Sequence, residues 1–445
     1  MKRTLALLLT VAMAFGVLAA CQPSTPAPSN DPVETNEPPA VVEPSSPVEL
    51  VVVTSYGGDD GNRANYENAY KEYEALSGNV IQDASATSNE EWKAKVVTDF
   101  ETGAEPDVLF YFTGSDSNPF VSANKVVPIE EIRAEYPEFA SNMKDAMMAY
   151  SPADGKQYAV PVNGYWETLF VNKKVLEAAE VSVPGADYTW DQFLLDCEKI
   201  KAAGFTPIAV SLQEVPHYWF EFVIYNQGNP ANHGTLPVTA DDETGLKWAK
   251  GLDDLKELYD LGYLPSNTMT AKDDETVQMF GDGKAAFLID GSWKLGWITE
   301  NCGDHIEDFT ISFVPGKGER KATDIVGGMS MGYFITRKAW EDPEKRDAAV
   351  AFVSHMTSDE VVSKFAATTL SALKSGGVPQ DGYNSLQEDA LEMVAKSTSV
   401  VGAVQDYIDA DVRQLMFNDL KNVVVGSKTA AEMITETIER NDALK

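Results

Sequence analysis

Aromatic residues sit beside small polar ones wherever a predicted strand comes to an end. Tyr56 closes the first strand, and Phe112, Thr113 and Asp116 close the third. Asn163, Tyr165 and Trp166 follow an extended segment at 158–162. Gln213, Glu214, His217, Tyr218 and Trp219 fill the loop after a strand at 207–211, and Trp293 follows the strand at 285–290. Residues 326–330 read Val-Gly-Gly-Met-Ser, placing Gly328 at another such end. Aromatic faces stack on the C–H faces of sugar rings, while Asp, Glu, Asn and His take the hydroxyls. A few polar groups converging on apolar walls is the usual build of a small-molecule site. In open α/β sheets ligands bind beyond the carboxyl ends of strands, which is where these residues fall. At least one of each adjacent pair, Tyr165/Trp166 and Tyr218/Trp219, is expected to line the site, with the choice open. Tyr66, Tyr70, Tyr73 and Trp92 are at helical spacing and read as core.

Catalytic patterns are missing from the sequence. There is no G-x-S-x-G, H-E-x-x-H, phosphate loop or acidic calcium loop. His217, His233, His305 and His355 are far apart, and none has metal-ligand spacing. No cofactor or metal is expected. Gly281-Asp282-Gly283-Lys284 precedes a strand instead of a helix, so it reads as a turn and offers no helix N-terminus to an anion.

The elements that must position these residues follow an α/β pattern. Glu49–Ser55 is a continuous apolar strand of the parallel-sheet kind. A helix follows with Tyr66, Ala69, Tyr70, Tyr73 and Leu76 on one face, ended by Gly78. A short strand at Asn79–Asp83 leads to Ser88-Asn89-Glu90-Glu91, which has capping-box spacing, and to a helix striped by Trp92, Val96 and Phe100. Asp107–Phe112 is the third strand, completing a unit that closes into a parallel sheet. A second region starts after Tyr158–Val162. Thr189-Trp190-Asp191-Gln192 opens a helix running to Gly204. Helices are expected at 217–227, 244–261 and 273–280, strands at 309–314 and 331–336, and nearly continuous helix from 344 onward.

The chain has 445 residues, too many for one core, so at least two domains are expected. Lys+Arg is 35 against Asp+Glu 69, a formal charge of −34, which argues against nucleic acid as a partner. Lys2 and Arg3, the uncharged run Thr4–Ala20 and Leu18-Ala19-Ala20-Cys21 read as an export leader with a lipidation site at Cys21. Residues 22–47 hold eight Pro, four acids and no Lys or Arg. Such a stretch cannot bury a core and prefers an extended conformation, as a tether would. Cys197 and Cys302 could pair or stay as separate buried thiols.

These stretches resemble the extracellular solute-binding proteins of bacterial ABC importers, in the group with maltose- and multiple-sugar-binding proteins. The likeness is carried by Gly155–Pro161, Leu169–Lys173, Tyr188–Phe193, Phe280–Phe287 with Gly291-Ser292-Trp293, Gly327-Gly328 with Tyr333–Ile335, and Ala348–Ser358. It implies a two-lobed periplasmic-binding-protein-like fold of type II, with strands crossing between the lobes near Tyr158–Val162, Phe309–Pro315 and Thr369–Leu373. The implied organisation is a signal peptide at 1–20, a tether at 21–47, a first lobe at 48–160 plus 316–370, and a second at 161–315 plus 371–445. It further implies a mono- or oligosaccharide ligand held between the lobes by Phe112, Asp116, Tyr165, Glu214, Tyr218 and Trp293, with a further residue from Gln405-Asp406-Tyr407. The partners it implies are importer permease subunits and the outer face of the cytoplasmic membrane, reached by the lipid anchor of a monomer. Asn163-Gly164-Tyr165-Trp166 departs from simple maltose binders. A polyamine, iron or phosphodiester ligand, or a secreted carbohydrate-active enzyme, are the competing readings.

Overall fold

The computed structural model describes residues 47–58, 60–378 and 380–444, Glu90 by its backbone alone. The leader, Cys21 and the tether up to residue 46 lie outside the described residues. Among the described residues ten strands occur in chain order: β1 (Glu49–Val53), β2 (Val80–Asp83), β3 (Val108–Phe112), β4 (Tyr165–Asn172), β5 (Thr206–Ala209), β6 (Ala285–Gly291), β7 (Phe309–Ser312), β8 (Asp324–Gly328), β9 (Met331–Ile335) and β10 (Ser399–Val401).

They form two sheets. The first has the order β2-β1-β3-β9, parallel except for β9, which runs antiparallel to β3. Its strands β1, β3 and β9 are apolar on both faces because both are covered, while edge strand β2 buries only Ile81. Leu50, Val52, Val108 and Phe110 face one core, while Val53, Leu109 and Tyr111 face another. Helix Arg63–Ser77 buries Tyr66, Ala69 and Tyr73 against the first of these cores. Leu76, expected on the same stripe, is exposed in the last turn. Helix Glu90–Thr102 seats Trp92, Val96 and Phe100 in the second core. Its cap is Asn89, whose side chain accepts from the Trp92 N–H.

The second sheet has the order β10-β8-β4-β6-β5, and β7 also pairs with β4. β4 is its centre. One edge pairs with β6, while the other is shared between β8 near Tyr165–Glu167 and β7 near Leu169–Asn172. Period-two alternation sends Leu169 and Val171 to one core and Trp166 and Phe170 to the other. The fold is thus mixed α/β in two lobes, the type II periplasmic-binding-protein architecture.

The extended segment at 158–162 packs in the first lobe, where Val160 makes an isolated bridge to Tyr333. Other expectations need correction. The second sheet starts at β4, which local pattern did not mark as a strand. The second crossing is at Met329–Ser330 instead of 309–315, because β8 hydrogen-bonds to β4 and β10. Residues 316–328 therefore belong with the second lobe. Ala372 and Leu373 are still in the first core, and Lys374 N–H bonds to Asn142 O, so the third crossing comes later than 369–373. The segment after 344 is interrupted by non-helical chain at 367–378 and 380–384 and by β10. Cys197 and Cys302 are free buried thiols in different cores.

Candidate functional site

Trp293 is the centre of the candidate site. It follows β6 after one residue, Ser292, and its indole folds back over Gly291. A Cβ on Gly291 would stand 2.2–2.4 Å from three indole carbons, so only glycine lets the ring lie there. Tyr165 from the start of β4 and Tyr218 from helix His217–Tyr225 flank the indole, with ring centroids 6.2 and 6.0 Å away. Trp293 is 39% exposed, which is unusual for a tryptophan with two aromatic neighbours and leaves a face open. Gly328 pairs with Tyr165 across β8 and β4, and a Cβ there would come within 3.8 Å of the tyrosine ring.

Carboxyls stand behind these rings. Glu167 pairs with Gly291 across β4 and β6, and cross-strand neighbours share a face, so its side chain leaves the sheet on the side that Trp293 covers. It is 3% exposed. Burial, then Glu221, Asp406 and Asp290, hold its carboxyl well above the usual range. Asp290, the last acid of β6, is pushed up to about 7 by burial, with Lys294 opposing. Lys294 Nζ is 3.5 Å from Asp290 and 3.0 Å from Asp273. Burial and these acids together raise the Tyr165 and Tyr218 hydroxyls.

The first lobe meets this surface at two places. At one, Gly61 and Gly296 touch backbone to backbone: a Cβ on Gly296 would be 2.6 Å from the Gly61 Cα. At the other, Arg413 Nη2 donates to both oxygens of Asp116, at 2.9 and 3.1 Å. Ser115 Oγ donates to the carbonyls of Asp406 and Ile408 beside it. Lys93 Nζ lies 4.3 Å from the centre of the Phe112 ring and 3.7 Å from Asp116. Half-buried His217 is kept neutral, its pKa lowered to about 3 by burial and then by Lys93 and Arg413.

Glu221 organises the second contact from beneath. Its Oε2 accepts from Val404 N–H and pairs with His233 Nε2, and its Oε1 accepts from Gln405 N–H. It thereby fixes the turn Val404–Tyr407 that carries Asp406 to the seam.

The expected site residues divide accordingly. Tyr165, Tyr218, Trp293 and Gly328 come together, and Phe112, Asp116 and His217 stand at the lobe contact. Trp166 is a correction: it is fully buried, and its indole N–H donates to Thr368 O at 2.9 Å, tying β4 to the chain that precedes the third crossing. Trp219 is another, buried and stacked on Phe193. Trp166 loses its ring to the core because alternation along β4 sends it and Tyr165 to opposite faces, and Trp219 packs deeper in the same core that Tyr218 borders. Tyr56 is a third. Its ring is enclosed by Phe110, Tyr66 and Phe365, and only its hydroxyl reaches outward, to Asn163 Oδ1 at 3.1 Å. Glu214 is exposed and accepts from the Asp273 N–H at 2.9 Å, securing the start of a helix. Sequence reading missed Lys93, Glu167, Glu221, Asp290, Lys294 and Arg413. The available signal for Glu167 and Asp290 was an acid inside an otherwise buried strand, which is costly unless used.

Two lobes joined by three crossings, with aromatics and buried polar groups at their seam, define a hinged solute-binding protein by fold. The comparisons agree. A family model, bacterial extracellular solute-binding protein, matches residues 68–373, and the chain belongs to that family. A putative binding protein of Brucella abortus is 23% identical over 238 residues, 53% of this chain. The alignment spans 56% of that relative's length. The sn-glycerol-3-phosphate-binding periplasmic protein UgpB of Rhizobium meliloti is 21% identical over 362 residues, covering 77% of this chain and 81% of its own. Among solved structures, a chitin oligosaccharide binding protein superposes with a TM-score of 0.76 at 21% identity, covering 89% of this chain and 98% of its own.

Proposed function

We propose that the protein is the substrate-binding component of an ABC importer, which captures a mono- or oligosaccharide between its lobes and delivers it to a membrane permease without turnover. The observation that carries this reading is the half-open Trp293 indole, laid over Gly291 and flanked by Tyr165 and Tyr218. Such a surface stacks on sugar rings, and the acids behind it accept from hydroxyls. Lobe closure on a ligand stabilises the closed state by the difference in affinity between states, which lets a permease distinguish loaded from empty protein.

In this reading the chain is exported as a monomer and lipidated at Cys21, and residues 21–47 tether it to the outer face of the cytoplasmic membrane. A phosphodiester, or a phosphate monoester such as the sn-glycerol 3-phosphate named for the Rhizobium relative, is a poorer match, because Glu167, Asp290 and Asp406 would repel its phosphate. A glycosidase would set two carboxyls on either side of the scissile bond, whereas Glu167 and Asp290 lie on adjacent strands of one sheet.

A thermal-shift screen of the purified protein against a carbohydrate panel tests the proposal. A ligand at ~100 times its Kd should add ~2.7 kcal/mol of stability, and chromatography of the same mixtures should show intact sugar. A panel that leaves the melting temperature unmoved, or that is cleaved, overturns the reading.

A further inference from the structure

Glu167 is more than an acceptor for hydroxyls. Its Oε2 is buried and has no hydrogen-bond partner among the described residues. The charged groups that bear on it most are Glu221 from the helix His217–Tyr225, Asp406 from the Val404–Tyr407 turn and Asp290 from β6, all of them carboxyls. The nearby cations serve other acids. Lys294 bridges Asp273 and Asp290, and Arg413 holds Asp116 with Asp406 at 3.7 Å. Burying a carboxyl among carboxyls without an opposing charge is costly. The face it occupies is the one roofed by Trp293, with Tyr165 and Tyr218 on either side. Aromatic faces attract a cation through their quadrupoles, most strongly where water is excluded.

We infer that the saccharide is an amino sugar, with the protonated amine borne by one of its ring carbons seated against Glu167 beneath the Trp293, Tyr165 and Tyr218 rings. This rests on the saccharide reading above and narrows it. A neutral sugar ring offers these walls stacking and hydroxyls, but leaves Glu167 itself without a counter-charge. An ammonium supplies the charge, donates to the unpartnered Oε2 and meets the ring faces with its C–H and N–H groups. Glu167 then sets specificity, and the rings supply contact area common to any sugar.

Isothermal titration of the purified protein at neutral pH tests this with four probes: the trisaccharides of glucosamine, N-acetylglucosamine and glucose in one linkage, and spermidine. The glucosamine trisaccharide should bind at least ~tenfold more tightly than either neutral one, since ~tenfold is a modest fraction of what close charge pairs deliver. Glu167→Gln should collapse that ratio to near unity. If this variant does not melt cooperatively, Asp290→Asn should reduce the ratio instead. A neutral trisaccharide that binds as well as or better than glucosamine overturns the amine and leaves the saccharide reading standing. Spermidine binding with all three sugars inert overturns both, and so does silence from all four. A wild-type preference for glucosamine that persists undiminished in Glu167→Gln removes Glu167 from the recognition.

Discussion

Asp116 and Arg413 lie 297 positions apart in the chain and meet in a two-pronged ion pair, each side chain only 7% exposed. Asp116 comes from the first lobe and Arg413 from the second, so the pair is buried only while the lobes are together. Opening would return both groups to water. If the lobes open and close as proposed, the pair acts on that equilibrium more than on folding.

Removing one partner of a buried pair strands the other charge, a loss of about 3–5 kcal/mol where nothing replaces it. Lys93 beside Asp116 softens this. Arg413→Ala should thus favour the open arrangement and weaken ligand binding at least ~tenfold. Small-angle scattering of the ligand-free variant should show a larger radius of gyration. An unchanged radius together with unchanged affinity would mean that the pair does not govern closure.

The indole of Trp293 depends on the missing side chain of Gly291. Gly291 has no positive φ, so alanine there carries no backbone strain. Its Cβ would still occupy the space of the ring. Gly291→Ala should displace the indole and cost ligand affinity ~1–3 kcal/mol, comparable to Trp293→Ala. Calorimetric titration measures both, and melting temperature should move little in Trp293→Ala because the ring is part-exposed. A melting collapse in that variant would assign Trp293 to the core.

Stability should depend on pH through the acids of the seam. Asp290 is raised to about 7, and Asp406 and Asp60, the residue before the Gly61 contact, to about 6, each mainly by burial. The folded state holds these protons more tightly than the unfolded chain does. Their contribution is therefore complete at low pH and is lost as pH rises through about 6 to 7. His217, lowered to about 3, works in the opposite direction, but only below its unfolded value of 6.5. Between pH ~8 and ~6.5 the acids act alone, and the melting temperature should rise as pH falls, at up to ~1.4 kcal/mol per pH unit for each group titrating. Asp290→Asn should flatten the slope in scanning calorimetry. A melting temperature that climbs with pH across that window would contradict the assignment.

Glu221 is fully buried and holds two backbone N–H groups of the turn that carries Asp406. Hydrogen bonds to a charged group are each worth ~1.5–3 kcal/mol, so Glu221→Ala should destabilise the protein by roughly 3–5 kcal/mol. Denaturant unfolding gives that loss. Hydrogen exchange should show the Val404 and Gln405 amides opening faster in Glu221→Gln, which keeps the shape of the side chain and loses its charge. Unaltered exchange at those amides would show that the turn is held by other contacts.

What the sequence determined by itself was local. The apolar runs of β1 and β3, the stripe of Trp92, Val96 and Phe100, and the caps at Gly78 and Thr189 follow from periodicity and backbone preference within one element, and each was legible. The position of Trp293 just past the strand end at Gly291-Ser292 was legible for the same reason. The tertiary structure alone decided that Tyr165 rather than Trp166, and Tyr218 rather than Trp219, stands beside it. Register on β4 and the buried side of one helix set that choice, and both depend on partners far along the chain. The same holds for the second crossing at Met329–Ser330, which turns on β8 pairing with β4, and for Glu167, whose setting is built from β6, a helix and a distant turn. Burial and charge environment are sums over neighbours in space, and residues hundreds of positions apart become neighbours only when the sheets assemble.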